Sequence, residues 1–196
     1  MRGTKSDIIK KAIELFKAEG YNNVSINQLC NACGVTKGTF YYHFKAKDEI
    51  IFHYYENLSV NLIEMMPFIA KQASYKDKLW VLFEYWIDNS TRLGPSLLKA
   101  FMIADAEKGL KYFSPYSGYL HGEIKSSYDL QIELIKQGQI QGTIRTGIAP
   151  EKLMHTFLSA MIGIAFDWAS NNGVYDRKEE LKKVFEVVFS CMITPN

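Results

Sequence analysis

Apolar residues recur at spacings of three and four along nearly the whole chain, and polar residues fill the positions between them. This is the spacing of amphipathic helices, because an α-helix turns every 3.6 residues and keeps one face toward the core. Stretches that alternate apolar and polar residues, which would indicate strands, are hard to find. The pattern therefore predicts an all-α protein of about nine helices.

Capping and helix-ending residues divide the N-terminal part of the chain. A first helix is expected over residues 5–19, and Gly20 ends it. The second begins after Ser25, whose hydroxyl can cap it, and Gln28 stands three residues later, as a capping box requires. Gly34 then allows a tight turn. Two short helices joined in this way predict a helix-turn-helix.

The third helix is expected over residues 36–43 and the fourth over residues 46–66. Pro67 limits the fourth, because proline lacks the backbone N–H that a continuing helix needs. We predict a helix-turn-helix domain at residues 1–48 and a larger helical domain at residues 49–196, with the fourth helix linking them.

The larger domain is predicted to contain further helices, separated by glycine and proline residues that interrupt the helical pattern. A loop dense in aromatic residues is expected at 109–122, and Gly138, Gly142 and Gly147 are expected to mark another connection. The predicted helices lie at residues 75–93, from Pro95 for about a dozen residues, at 123–137, from Pro150 to Asn171, and at 176–192.

Composition and charge narrow the class of protein. Hydrophobic residues make up 47% of the 196, which supplies a substantial core. Charges recur throughout residues 1–20, unlike a signal peptide, and the apolar run 157–169 is shorter than the roughly 20 residues that span a bilayer. Three cysteines, an odd number, argue against a disulfide framework and favour a reduced, cytoplasmic setting.

The net charge of +2 conceals an asymmetry between the two predicted domains. Residues 1–47 hold eight basic and three acidic side chains, a charge of +5, whereas the remainder carries a charge of −3. A basic N-terminal quarter on an acidic remainder suits the binding of a polyanion, although a modest excess of this kind also arises from random surface asymmetry.

The third helix carries small, hydroxyl, basic and aromatic residues where an apolar stripe would otherwise stand. Phe40 and Phe44, four residues apart, are expected to face inward, which leaves the other side chains facing outward. Hydroxyl, amino and imidazole groups reach phosphates and base edges, and a glycine lets the backbone approach DNA closely. The candidate DNA-binding residues are Ser25, Thr36, Lys37, Gly38, Thr39, Tyr41, Tyr42, His43 and Lys47.

The run Gly-Val-Thr-Lys-Gly-Thr-Phe-Tyr-Tyr-His-Phe at residues 34–44, followed by Lys-Ala-Lys-Asp-Glu-Ile, resembles the helix-turn-helix signature of the TetR family of bacterial transcriptional regulators. The specific resemblance covers about residues 5–55. It implies phosphate contacts from four residues and base contacts from three others. The implied phosphate contacts are Ser25, Tyr41, His43 and Lys47, and the implied base contacts are Lys37, Thr39 and Tyr42.

Cys30 and Cys33 offer a competing interpretation, because a C-x-x-C pair occurs in zinc and redox sites. A zinc finger needs a histidine pair three to five residues apart, whereas His43 and His53 stand ten apart. A thioredoxin-type site needs a preceding strand. We therefore expect both cysteines in the core, where the family commonly has alanines, and we predict no metal site and no cofactor.

The larger domain contains most of the aromatic residues, which is typical of a pocket for an apolar or aromatic molecule as well as of an ordinary core. The resemblance also implies a pocket between the middle helices. The candidate effector-binding residues are Trp86, Phe101, Asp105, Tyr112, Tyr116, His121 and Tyr128.

The last two predicted helices carry apolar stripes that could pair across a two-fold axis into a four-helix bundle, or could serve only the core of one chain. The candidate interface residues are Phe157, Met161, Gly163, Phe185, Val188 and Phe189.

Taken together, these features predict a homodimeric, cytoplasmic transcriptional regulator, most often a repressor in such families. It would bind a palindromic double-stranded DNA operator and leave it when a small hydrophobic or aromatic effector binds. Two alternatives stay open: a larger domain that is a protein-interaction platform without an effector, and an enzyme. The chain has no Gly-x-Ser-x-Gly, His-Glu-x-x-His or phosphate-loop motif, so we do not expect an enzyme.

Overall fold

The computed structural model describes residues 4–57, 62–110, 112 and 122–191, with the backbone alone at 57 and 122–126. Within these ranges the chain forms ten α-helices and no strand, which confirms the all-α prediction and adds one helix to the expected number. None of the described helices has the length and apolar character needed to cross a bilayer. The helices are α1 (Lys5–Glu19), α2 (Ile26–Cys33), α3 (Lys37–His43), α4 (Asp48–Asn57), α5 (Leu62–Ala70), α6 (Tyr75–Thr91), α7 (Pro95–Glu107), α8 (Gly122–Ile140), α9 (Pro150–Ser170) and α10 (Arg177–Phe189).

The helix α5 contains Pro67. The sequence predicts one helix over residues 46–66. The structure describes helix at Asp48–Asn57, which is α4, and at Leu62–Ala70, which is α5 and continues through Pro67. Proline removes one backbone donor, but its fixed φ is compatible with a helix. Burial of Met65 and Ile69 on one face of α5 stabilises the helix across this position. The expectation that Pro67 ends a helix is wrong.

The four helices α1 to α4, which we call the head, surround a small apolar core. Phe16, Leu29, Phe40 and Ile50 each contribute a side chain with at most 1% of its surface exposed. The capping box predicted at the start of α2 forms: the N–H of Gln28 donates to Ser25 Oγ at 3.3 Å, and the N–H of Ser25 donates to Gln28 Oε1 at 2.8 Å.

The remaining helices, α5 to α10, form the body. In the body, α6 packs against α8 and α10, while α9 packs against α7 and α10. Rings from three of these helices meet at its centre: Phe83 of α6 lies 4.5 Å from Phe157 of α9, and Phe185 lies 4.8 Å from Phe189 on α10, measured between ring centroids. This aromatic cluster gives the body its core.

That cluster changes the expectation for the last two helices. Phe157, Phe185 and Phe189 have no exposed surface and Val188 has 8%, so these four side chains belong to the core of one chain and are not available to a second copy. Of the other candidate interface residues, Met161 is half-buried and Gly163 is exposed. A surface for a partner on α9 and α10 therefore has to use their other faces.

Arg177, the first residue of α10, lies almost fully buried against the end of α6. Its guanidinium donates to the carbonyl oxygen of Ile87 at 2.7 Å and to the hydroxyl of Ser90 at 2.7 Å. It also lies 5.1 Å over the ring of Trp168. Burial lowers the pKa of Arg177 to about 10, and the unpaired carbonyls at the end of a helix favour such a cation. This contact fixes the start of α10 at the end of α6.

Gly138 lies inside α8, whereas the sequence analysis places it in a connection after that helix. A Cβ built on Gly138 would lie 2.6 Å from Cδ1 of Ile144, on the segment that follows α8. The glycine thus permits a close approach of that segment to the helix, and it does not end the helix.

Replacement of Gly138 by alanine should lower the free energy of unfolding by about 1–3 kcal/mol, because the Ile144 side chain must move out of a well-packed position. Urea unfolding measures this difference. The same replacement in an Ile144→Val background, which removes Cδ1, should be less harmful. An equal loss in both backgrounds would contradict the proposed clash.

Candidate nucleic-acid interface

The orientation of α3 follows from two phenylalanines. Phe40 is fully buried and Phe44 is 1% exposed, and their ring centroids lie 5.5 Å apart. Thr36 caps the helix by accepting a hydrogen bond from the N–H of Thr39 at 3.1 Å. Because one face is fixed in the core in this way, the opposite face of α3 lies on the surface of the head.

The exposed face of α3 carries most of the candidate DNA-binding residues. Tyr42 has 85% of its surface exposed and Tyr41 has 52%, which is unusual for such large rings. Lys37 and Gly38 are also exposed. A row of one ammonium, two phenolic rings and a bare backbone is suited to contact a groove and its phosphates.

The other candidates flank this row. Ser25 and Thr36 are exposed but serve as helix caps, while Thr39 and His43 are half-buried. The Thr39 hydroxyl lies 3.0 Å from that of Thr36, and the His43 ring lies 5.0 Å from the ring of Tyr42. Thr36, Thr39 and His43 lie together because they belong to α3 or to its cap, whereas Ser25 lies at the start of α2.

Lys47 differs from the other candidates. Its ammonium donates to the carbonyl oxygens of Tyr21 at 2.7 Å and Val24 at 2.9 Å, and it lies 4.1 Å over the Tyr21 ring. Burial lowers the pKa of this lysine. Lys47 therefore braces the start of α4 against the turn between α1 and α2, a contact that sequence spacing could not reveal.

Cys30 and Cys33 lie in the core of the head, with 4% and 9% of their surface exposed. Burial raises the pKa of both thiols, which disfavours the reactive thiolate. Within the described ranges, no group of three or more His, Cys, Asp or Glu side chains is placed to hold a metal ion. These observations favour the packing role over the redox role.

The candidate effector residues do not form one group. Trp86 on α6 and Tyr128 on α8 are half-buried beside the core of the body. Phe101 and Asp105 on α7 are fully buried near Tyr112, at the junction with the head. The remaining two, Tyr116 and His121, lie outside the described residues.

A cavity of about 220 Å³ lies at this junction between α4 and α7. Asp105 and Tyr112 line it, but sequence analysis missed its other lining residues, since nothing in the sequence places α4 against α7. The i, i+3 spacing of His53 and Glu56 was the one available signal. The lining residues are Glu49, Phe52, His53, Glu56, Asp105, Lys108 and Tyr112.

Hydrogen bonds along this cavity run from the head to the body. The Lys5 ammonium on α1 lies 2.9 Å from Nε2 of His53, and Nδ1 of His53 lies 2.9 Å from Glu56. The Tyr112 hydroxyl donates to the Glu56 carboxylate, and the N–H of Tyr112 donates to Asp105 at 3.1 Å. We call these five residues the junction chain.

The pKa of Tyr112 is raised well above its ordinary value, first by burial and then by its bond to the Glu56 carboxylate. The phenol therefore stays protonated and remains a donor at neutral pH. A second contact parallels the chain, because the ammonium of Lys108 at the end of α7 lies 2.7 Å from Asp48 of α4.

The fold and the outward-facing α3 define a helix-turn-helix head joined to an all-helical body. Residues 8–54 match the sequence profile of the bacterial regulatory proteins of the tetR family. This match covers about a quarter of the chain, and it confirms the TetR resemblance of the helix-turn-helix segment.

Individual relatives agree with this assignment. The chain is 38% identical to the HTH-type transcriptional regulator YerO of Bacillus subtilis (strain 168) over 64 residues, covering 31% of this chain and 22% of YerO. It is 33% identical to the HTH-type transcriptional regulator AcrR of Shigella flexneri over 85 residues, covering 43% of this chain and 39% of AcrR. The chain thus spans less than two-fifths of these relatives' length, and the named relatives are regulators, in agreement with the expectation that it is not an enzyme.

The fold as a whole is shared with the solved structure of Thermus thermophilus FadR, a TetR family transcriptional repressor, in complex with lauroyl-CoA. The TM-score is 0.65 at 21% identity, over 94% of this chain and 93% of that one. At this identity the likeness concerns the fold alone, and it extends from the head into the body.

Lys47 and Lys37 should differ in how they affect DNA binding. Replacement of Lys47 by methionine should lower the free energy of unfolding by about 1–2 kcal/mol, since two charge-assisted hydrogen bonds are lost. It should weaken DNA binding without changing the slope of log affinity against log salt. Replacement of the exposed Lys37 by methionine should relax the preference for its operator over other sequences, as the loss of a base contact does, with little loss of stability.

Urea unfolding measures the free energy of unfolding, and fluorescence anisotropy at several salt concentrations measures the DNA affinity and its salt dependence. A slope reduced by about one in the Lys47→Met variant would instead support the phosphate contact implied by the family resemblance.

Proposed function

We propose that the protein is a sequence-specific DNA-binding transcriptional regulator, a repressor that acts in the cytoplasm as a homodimer. The observation that carries this proposal is the exposed face of α3, where Lys37, Gly38, Tyr41 and Tyr42 lie together above a buried pair of phenylalanines. Two adjacent tyrosines exposed to solvent contribute little to the stability of a single chain, but they are suited to contact a groove of DNA.

A dimer would place two such helices in successive major grooves of a palindromic operator, about 34–36 Å apart or a multiple of that distance. We propose that the surfaces which pair are the outer faces of α9 and α10. Phe166 has 45% of its surface exposed and Val187 has 71%, and Leu158, Ile162 and Val184 are half-buried beside them. Exposed apolar residues grouped on two neighbouring helices indicate an interface.

Selection from a random DNA library tests this proposal. The wild-type protein should enrich an inverted repeat and sediment as a dimer. A Phe166→Lys, Val187→Lys double variant changes only exposed positions, so it should fold, sediment as a monomer and lose at least about tenfold in affinity for the selected repeat, because only one head can then engage it.

A matched control is a Val174→Lys variant, whose valine is 78% exposed on the turn between α9 and α10. It should behave as the wild type. Failure of the wild-type protein to enrich any repeat would refute operator binding, and an unaltered dimer in the double variant would refute this choice of surface.

We further propose that a small hydrophobic or aromatic effector binding in the body controls the operator affinity through the junction chain. The junction chain links α1 and α4 of the head to α7 of the body through contacts of 2.9–3.1 Å. A ligand in the body that shifts α7, which packs against α6, would move Asp105 and Tyr112 and thereby displace α4, which follows α3. The solved structure of Thermus thermophilus FadR, which shares this fold, is a complex with lauroyl-CoA, and this supports the binding of an apolar ligand by the fold.

Loss of the bond between Tyr112 and Glu56 should alter operator affinity without any contact to DNA. A Tyr112→Phe variant should bind the selected operator roughly tenfold more weakly, because one charge-assisted hydrogen bond that holds the junction contributes about 1.4 kcal/mol. Tyr54→Phe, on the same helix α4, is the matched control and should bind normally. Equal affinities for the two variants would exclude the junction chain as the link.

A further inference from the structure

Four hydrogen-bonding groups in the body are buried without a partner among the residues that the structure describes: Nε of Arg177 at the start of α10, and three groups on α6 and α8. These three are the indole Nε1 of Trp86 on α6 and, on α8, the hydroxyl of Ser127 and the amide nitrogen of Gln131. Ser127 is fully buried and Gln131 is 1% exposed. A buried donor without an acceptor destabilises a protein by about 1–3 kcal/mol, so three on two neighbouring helices call for an explanation.

The directions of α6 and α8 place these groups at similar positions along the two helix axes. Arg177 at the start of α10 bonds to the end of α6, and Lys76 near the start of α6 lies 3.1 Å from Ser190 at the end of α10, so α6 and α10 are antiparallel. Arg145, which follows α8, donates its backbone N–H to the Phe189 carbonyl at 2.9 Å. The end of α8 therefore lies at the start of α6, and these two packed helices are antiparallel as well.

At a rise of 1.5 Å per residue, Trp86 lies about 16 Å from the start of α6 and Gln131 about 14 Å from the end of α8. The polar groups of both helices thus fall in the same half of the contact surface between α6 and α8, which we call the seam. On α8, Ser127 and Gln131 are one turn apart and continue as the buried apolar Ile135, so the stripe changes from polar to apolar along the helix.

The chemistry of the three groups defines what would satisfy them. An indole N–H can only donate a hydrogen bond, whereas a hydroxyl can donate or accept, and an amide can be turned to do either. The group that meets Trp86 must therefore be an acceptor. Among the described residues, Arg177 is the one buried basic side chain, and its bonds to α6 lie at Ile87, about 100° around the helix from Trp86.

We propose that the seam between α6 and α8 binds a neutral apolar or aromatic molecule through a carbonyl-type acceptor, which takes hydrogen bonds from Trp86, Ser127 and Gln131. The inference rests on the proposed effector control and specifies the chemical class of the effector. Leu82 on α6 and Ile132 on α8 belong to the buried core of the body, and Tyr128 packs against it, so the surroundings of the three donors are apolar.

Acetophenone and ethylbenzene are suitable probes, because they differ only by a carbonyl in place of a methylene group. Binding to the full chain is measured by saturation-transfer NMR and by the shift in melting temperature. Acetophenone should bind at least tenfold more tightly than ethylbenzene, and benzoate, the anionic arm, should bind more weakly than acetophenone. Equal binding of the first two probes, no binding of either, or tighter binding of benzoate would overturn the proposal.

Two variants separate a ligand contact from a structural role. Ser127→Ala removes an unpartnered hydroxyl, so it should keep or raise the melting temperature of the free protein. Gln131→Leu removes an unpartnered amide nitrogen together with the amide oxygen. In the double variant the preference for acetophenone should fall below threefold, while ethylbenzene binding stays unchanged. A lower melting temperature for Ser127→Ala would mean that ordered water already satisfies the hydroxyl, and would overturn the proposal.

Operator binding without any probe distinguishes this inference from the proposed function. The double variant should bind the selected operator as the wild type does, because neither residue lies in the head. If the wild type binds no operator but prefers acetophenone, the regulatory function fails and the seam stands as a ligand site. If operator binding is normal and acetophenone shows no preference, the seam proposal alone fails.

Discussion

The burial of Phe40 and Phe44 is the constraint on which the surface of the head depends. A helix of seven residues such as α3 is too short to persist in water by its own hydrogen bonds. It is held by two rings that fill the core between α1, α2 and α4, and by the Thr36 cap. Because the rings fix its rotation, the exposed tyrosines and Lys37 have one direction available to them, and α3 presents a defined surface.

The same constraint makes α4 the element that transmits position. Its start is tied to the turn after α1 by Lys47, and its last turns face Tyr112 and α7. A displacement of the end of α4 at the junction also moves its start, because Ile50 and Ile51 are fully buried and the tightly packed helix moves as one unit. The mechanics of the proposed control thus follow from packing at both ends of one helix.

The body combines two kinds of interior. Around Phe83, Phe157, Phe185 and Phe189 the rings pack against one another within an apolar cluster. Between the C-terminal half of α6 and the N-terminal half of α8, by contrast, polar donors are buried without partners in the described part of the chain. An interior built for stability alone favours the first kind, and the second is typical of a site that a ligand completes.

The sequence by itself determined the local features: the helical periodicity, the capping box of Ser25 and Gln28, and the inward pair of phenylalanines on α3. Each depends on residues within a few positions of one another, so spacing carries the information. Only the tertiary structure decided that Lys47 contacts backbone carbonyls more than twenty residues away, that Phe157 and Phe185 serve the core of one chain, and that Trp86 and Asp105 lie in different places. These outcomes depend on which helices meet and at what level, and periodicity within one helix does not specify its neighbours.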